Sequence, residues 1–327
     1  MAAWTDSDLM GHLIADGFNK NKNAGRQVKM KTLKRTLLII GCGDIALRAA
    51  PLLQAHYRLL GLHRRPEQRA SLRSHYITPV FGDLNVPDSL AKLAGIAHAV
   101  LHLAPPPDHG RRDTRTANLL AALTKRSKMT GSILPQRLIY ISTSGVYGDC
   151  KGAVINETRS INPQTARALR RADAERRVRS WGLRNGVKVS ILRVPGIYAG
   201  DRLPLARLRA RAPVLLSEED SYTNHIHADD LVRVVIAALR YAQPGRIYHA
   251  CDDSILKMGE YFDLVADRFA LPRPPRISRS QAESSISPGM LSFMQESRRL
   301  TNARIKHELH VNLRYPTVAE CLAAVPE

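Results

Sequence analysis

The apolar run Leu37-Leu38-Ile39-Ile40 stops abruptly at Gly41-Cys42-Gly43-Asp44-Ile45-Ala46, two glycines separated by one residue. Four consecutive branched aliphatics predict a strand buried on both faces, as in a parallel sheet covered by helices. Gly41 lets the chain turn, Gly43 carries no side chain to keep a pyrophosphate off the backbone, and Ala46 allows close helix-on-strand packing. Helical periodicity follows over residues 45–55, and Tyr57-Arg58-Leu59-Leu60-Gly61-Leu62 reads as a second strand, which completes the βαβ context that the glycine spacing requires. Further strands are expected over 76–81, 96–103, 138–141 and 187–193, alternating with helices opening at Pro87-Asp88, over 114–127, and after Pro163 as far as 181. This alternation predicts an α/β, doubly wound parallel sheet with right-handed crossovers.

Beyond the sixth strand the rhythm loosens. A basic helix is expected near 204–211 and an acid-capped helix over 229–242, followed by a Pro-rich stretch at 272–275 and a polar stretch after Ser278. The expected organisation is a polar, flexible extension over 1–30, a dinucleotide-binding domain over 31–200, and a smaller substrate lobe over 201–327 with some segments returning to the sheet. Met30 is a candidate start of translation beside Met1.

Charge changes this picture more than length does. The 327 residues carry a formal net charge of +20, which attracts anions such as nucleotide phosphates or nucleic acid. The arginines are spread along the chain instead of gathered on one element, which argues against a dedicated nucleic-acid module. Cys42, Cys150, Cys251 and Cys321 form no C-x-x-C pair, so neither a zinc site nor a redox pair is suggested. No apolar run approaches the roughly 18 residues of a membrane span, and a cytoplasmic setting is expected.

Several residues carry candidate chemistry. At the end of the second strand, where Asp or Glu would hold the ribose hydroxyls of NAD, the chain has His63-Arg64-Arg65. Arg64 there suits a 2′-phosphate, so NADP is expected, with NAD as the alternative; a solvated basic loop is the lesser reading of the same residues. Asp83, in Gly82-Asp83-Leu84, sits at a strand's carboxyl end, where α/β sheets hold ligands. Ser142-Thr143-Ser144-Gly145-Val146-Tyr147-Gly148 places three hydroxyls at another such end, a pattern that marks a reactive loop or simply a tight turn.

Together with Leu103-Ala104-Pro105, Leu192-Arg193-Val194-Pro195-Gly196-Ile197-Tyr198, His225-Ile226-His227-Ala228-Asp229-Asp230-Leu231 and Tyr315-Pro316-Thr317, these segments resemble the extended short-chain dehydrogenase/reductases of the nucleoside-diphosphate-sugar epimerase/dehydratase type, from about residue 36 to the end. The resemblance implies a Rossmann-type fold. It implies that Gly41, Gly43, Asp44 and Ile45 form the phosphate turn, that Asp83 and Leu84 border the adenine, that Ala104 lies at the cofactor's middle, and that Thr143 hydrogen-bonds substrate. It also implies a small-molecule substrate, phosphorylated or nucleotide-linked, and a monomer or homodimer.

One departure bears on catalysis. Active members carry Tyr-x-x-x-Lys on the helix after the Ser/Thr loop, yet residues 160–182 contain neither tyrosine nor lysine. Arg167 and Arg171 occupy the two places, with Glu175 one turn further on. Arginine stays protonated, so Arg167 cannot be the base; Arg171 remains a candidate to hold the ribose, or else to pair with Glu175 on a solvated helix. Tyr147, Tyr198, His225 and His227 are the candidates to replace the tyrosine. An NADP-dependent epimerase or reductase is the first reading; a non-catalytic NADP-binding scaffold or sensor, and less so an RNA-binding protein, are the alternatives.

Overall fold

The computed structural model describes residues 34–125, 133–286 and 288–324. Residues 1–33, on which the expected extension and alternative start fall, lie outside them, as does the end of the helix expected to reach 127. The chain forms β1 (Arg35–Ile40), α1 (Asp44–Leu53), β2 (Tyr57–His63), α2 (Gln68–Ser74), β3 (Ile77–Phe81), β4 (Ala99–His102), α3 (Thr114–Thr124), β5 (Arg137–Thr143), β6 (Val154–Ile155), α4 (Ala166–Asn185) and β7 (Lys188–Val194). Then follow β8 (Gly196–Tyr198), α5 (Leu205–Arg209), β9 (Val214–Leu215), β10 (Tyr222–Thr223), β11 (His225–His227), α6 (Ala228–Tyr241), β12 (Ile247–His249), β13 (Leu256–Lys257) and α7 (Met258–Arg268). The last elements are β14 (Arg276–Ile277), α8 (Arg279–Ser285), α9 (Pro288–Met294), β15 (Arg299–Leu300), α10 (Ala303–His307) and α11 (Val318–Ala324).

Seven strands make one sheet in the order β12-β7-β5-β4-β1-β2-β3, every pairing parallel. The order reverses direction at β1, between β4 and β2, so a crevice opens at the carboxyl ends of β1 and β4. The aliphatic run explains why β1 sits at the centre. Leu37 and Ile39 pack into the apolar layer with α1 and α6, Leu38 and Ile40 into the opposite layer with α3 and α4, and all four are fully buried. A strand covered on both faces cannot alternate apolar with polar residues.

The structure differs from expectation in places with local causes. The segment opening at Pro87 is a 3-10 turn, Pro87–Leu93, not an α-helix; it buries only Leu90 and Leu93 against the sheet. The cap of α6 is the side chain of His227, whose Nδ1 accepts from the Asp229 N–H at 3.2 Å, with Asp229 and Asp230 in the first turn. Beyond residue 200, β12 joins the sheet, and α6, with Ile305 of α10 and Leu309 and Val311 after it, packs into the layer over it. The remainder builds the lobe from four two-stranded pieces, β8 with β11, β10 with β13, β9 with β14 and β6 with β15. Among the described residues no helix is long and apolar enough to cross a membrane.

Candidate functional site

The crevice is shaped by two glycines with different surroundings. Gly41 has φ +93°, and a Cβ on it would lie 2.4 Å from the Ala104 nitrogen. Only a residue without a side chain allows β1 to exit against β4 here. Gly43, at the N-cap of α1, faces open space, since a Cβ would meet no protein atom within 4 Å. Backbone N–H groups of a helix start beside an unfilled approach are what a phosphate requires.

Other predicted residues gather along the same edge. Asp83 follows β3 half-buried, its Oδ1 accepting from the Asn85 N–H at 2.9 Å, and Leu84 is buried with its carbonyl held by Asn118. Arg64 follows β2, is exposed, and makes no hydrogen bond or ion pair among the described residues. Asp44 is engaged by Arg48 at 2.8 Å and Arg202 at 2.9 Å, and Arg48 also reaches Asp201 and Asp229. This charge network ties the start of α1 to the first turn of the lobe and to α6. Gly41, Gly43 and Ile45 after β1, Arg64 after β2, Asp83 and Leu84 after β3, and Ala104 after β4 thus stand along one edge of the parallel sheet.

At the end of β5, Thr143 Oγ1 accepts from the Gly145 N–H at 3.2 Å. Arg171 donates to the Ile141 carbonyl at 2.9 Å and the Tyr140 hydroxyl at 3.1 Å, so it reaches β5 from α4. It does not pair with Glu175, whose carboxylate is buried against Arg193. The helix-surface pair is therefore corrected: Glu175 points into the protein because its partner lies on β7.

The four substitutes for the tyrosine are committed elsewhere. Tyr147 is 1% exposed, and its hydroxyl lies between Arg193 at 2.6 Å and His249 at 2.5 Å. Tyr198 packs edge-on against His225 and His227, and His225 stacks on Tyr261 with ring centroids 4.4 Å apart. These rings pack β8, β11 and α7 against one another.

Sequence reasoning missed Glu296 and Arg298. Both are over nine-tenths buried, paired at 3.0 Å, and set beside the Thr143 turn. In the chain they read as part of a solvated polar stretch, and only the lobe's return to β6 brings them inward.

Burial also sets a pH dependence. It pushes His102 down to about 3, aided by Arg171, His249 to about 3 and His225 to about 4. The folded state thus excludes protons that the unfolded chain accepts below its ordinary histidine value, and stability falls as pH drops through 6.5. Asp252, pushed up by burial to about 7, and Asp220, also raised by burial, have the opposite sign, but they stand against four histidines, since burial lowers His227 as well. The melting temperature is expected to fall between pH 7 and 5, more shallowly in His102→Gln; a rise on acidification would contradict this balance.

A Gly-x-Gly turn at the switch point of a doubly wound sheet, with a Ser/Thr loop on the neighbouring strand end, defines a Rossmann-type protein of the extended short-chain dehydrogenase/reductase kind. The chain belongs to the NAD dependent epimerase/dehydratase family, whose model matches residues 47–251, more than half of its length. The match begins inside α1, so the glycine turn stands on its own geometry. Among curated proteins the chain is similar to Protein YeeZ of Escherichia coli, 26% identical over 182 residues, covering 55% of this chain and 59% of that one. A functionally unknown conserved protein from Silicibacter pomeroyi superposes with a TM-score of 0.74 at 27% identity, over 89% of this chain and 98% of that one. UDP-glucuronic acid 4-epimerase from Bacillus cereus, in complex with NAD, gives 0.69 at 17% identity over 88% and 97%, a likeness of fold alone.

Proposed function

We propose that the protein is an NADP-dependent oxidoreductase or epimerase that acts on a hydroxyl or carbonyl group of a small anionic substrate, phosphorylated or nucleotide-linked. The observation that carries this reading is the contrast between Gly41, pressed on Ala104, and Gly43, open at the start of α1. The dinucleotide, when bound, supplies the hydride chemistry. The chain's own groups then bind and orient: Thr143 offers its hydroxyl at the end of β5, Arg171 reaches the same edge, and Arg167, half-buried at the start of α4, offers a charge to a phosphate or carboxylate.

The preference for NADP rests on Arg64. Fluorescence titration should give tighter binding of NADPH than of NADH, and Arg64→Asp should weaken NADPH by roughly tenfold while leaving NADH within about twofold. An unchanged preference in that variant would remove the argument. Turnover is tested by NADPH oxidation across carbonyl compounds and nucleotide sugars, UDP-glucuronic acid among them, against Thr143→Ala. Tight NADPH binding without turnover would favour the scaffold reading, to which the missing Tyr and Lys also point.

A further inference from the structure

We propose that Glu296 is the group that exchanges the substrate's proton at the Thr143 turn, the task for which α4 carries no tyrosine. The inference rests on the dinucleotide reading above and adds to it the acid/base.

Placement comes first. Glu296 lies between α9 and β15, and the chain on either side of it is fixed to the loop after β5. The Ser297 N–H donates to Asp149 at 2.9 Å, the Ser297 carbonyl accepts from the N–H groups of Cys150 and Gly152, each at 3.0 Å, and Arg298 donates to the Gly148 carbonyl at 2.9 Å. So many ties leave the Glu296 backbone little freedom. A Cβ on Gly145 would sit 3.6 Å from Thr143 Oγ1 and 3.8 Å from Glu296 Oε2. Thr143 Oγ1 and the Glu296 carboxylate therefore flank the same small space beside Gly145, where a side chain at 145 would touch both.

The second observation is an unanswered polar atom. Glu296 is 7% exposed, and Arg298 holds its Oε2 at 3.0 Å, but Oε1 is closed off from solvent and has no hydrogen-bond partner. Leaving a buried carboxylate oxygen without a donor costs stability, and proteins retain such atoms where a ligand supplies the donor. A substrate hydroxyl seated at Thr143 is a donor of that kind. Arg167, at the start of α4, shares the field of Glu296 and Arg298, and desolvation pushes its guanidinium below its ordinary value. It remains a cation that binds an anionic substrate and cannot itself take the proton.

The step balances as follows. Oxidation of a secondary hydroxyl breaks its O–H bond, and the proton passes to the Glu296 carboxylate. The C–H bond breaks with its electron pair leaving as hydride to an oxidised nicotinamide dinucleotide, and the oxygen's pair closes the C=O bond. Reduction returns both hydrogens by the same path.

The test reads binding as well as turnover. An oxidised nicotinamide is cationic and a reduced one neutral, so a carboxylate beside the ring favours the oxidised form. The ratio of dissociation constants for NADP+ and NADPH is measured for wild type, Glu296→Gln, Glu296→Asp, and Glu283→Gln, which is exposed on α8. Expected is a shift of about threefold or more toward NADPH in Glu296→Gln, a smaller shift the same way in Glu296→Asp, and none in Glu283→Gln. With any carbonyl compound that wild type reduces, Glu296→Gln lowers kcat by about 100-fold or more, with KM within about threefold. A wild-type ratio in Glu296→Gln, with both forms still bound, overturns the proposal. Should that variant not fold, an unchanged ratio in Glu296→Asp, which keeps the pair with Arg298, overturns it equally. If wild type binds neither dinucleotide form, the dinucleotide reading itself falls, and this one with it.

Discussion

Gly41→Ala is expected to lower stability by roughly 2–4 kcal/mol and to abolish dinucleotide binding. Two costs add at this position. The backbone sits at φ +93°, which L side chains rarely adopt, and the new Cβ would lie 2.4, 2.7 and 2.8 Å from backbone atoms of Leu103 and Ala104. No rotamer change relieves a clash with backbone, so the exit of β4 must move away from β1, and the crevice opens where it should be narrow. Gly43→Ala provides the contrast. Its φ is −93° and its Cβ would meet nothing within 4 Å, so stability should change by less than about 0.5 kcal/mol. Dinucleotide affinity should nevertheless fall by about tenfold or more, because the methyl group occupies the approach that a phosphate needs. Denaturant unfolding and fluorescence titration of both variants check the pair of outcomes. Equal stability losses would mean that Gly43 serves the fold rather than a ligand.

How much of this was legible in the chain follows from the range of the forces involved. The burial of β1 on both faces is a local property, because every residue of Leu37-Leu38-Ile39-Ile40 is apolar, and the sheet and its glycine turn follow from it. The end of β2 is equally local, and Arg64 stands exposed where the pattern placed it. Side chains just past a strand end obey no period of two, however. Tyr147 reads in the sequence as a candidate to replace the missing tyrosine, yet four residues past β5 its ring turns inward onto Arg193 and His249. The partner of Glu175 is another case: Arg171 lies at helical spacing, while Arg193 lies 18 residues on and is found only when α4 packs on β7. Glu296 was hidden most completely. A Glu-Ser-Arg-Arg stretch reads as solvated until a long-range pairing, β15 with β6, carries it into the interior.

Arg193→Met should be the most destabilising change outside the glycine turn, at roughly 3–5 kcal/mol, because it leaves a buried carboxylate without its cation. Arg193 and Glu175 are each 3% exposed and meet through two hydrogen bonds, at 2.7 and 3.1 Å. Ser142 donates to the same carboxylate at 2.6 Å. From Arg193 the order of donors is fixed by chemistry. Its N–H groups only donate, so Tyr147 accepts there and passes its own proton to His249 Nε2; the Thr301 carbonyl only accepts, so His249 Nδ1 carries the hydrogen. This order needs a neutral His249, which its burial provides. The chain of bonds joins β5, α4, β7, β12 and the segment after β15, so it holds the Thr143 edge and the lobe that delivers Glu296 in one register. Glu175→Leu combined with Arg193→Met removes both charges at once and should recover most of the loss, since no unpaired buried charge remains. Denaturant unfolding of the single and double variants measures the coupling. If the double variant were as unstable as the sum of the singles, the pair would be acting through packing alone, and the register of the Thr143 edge would have to come from the Arg48 network at the other side of the crevice.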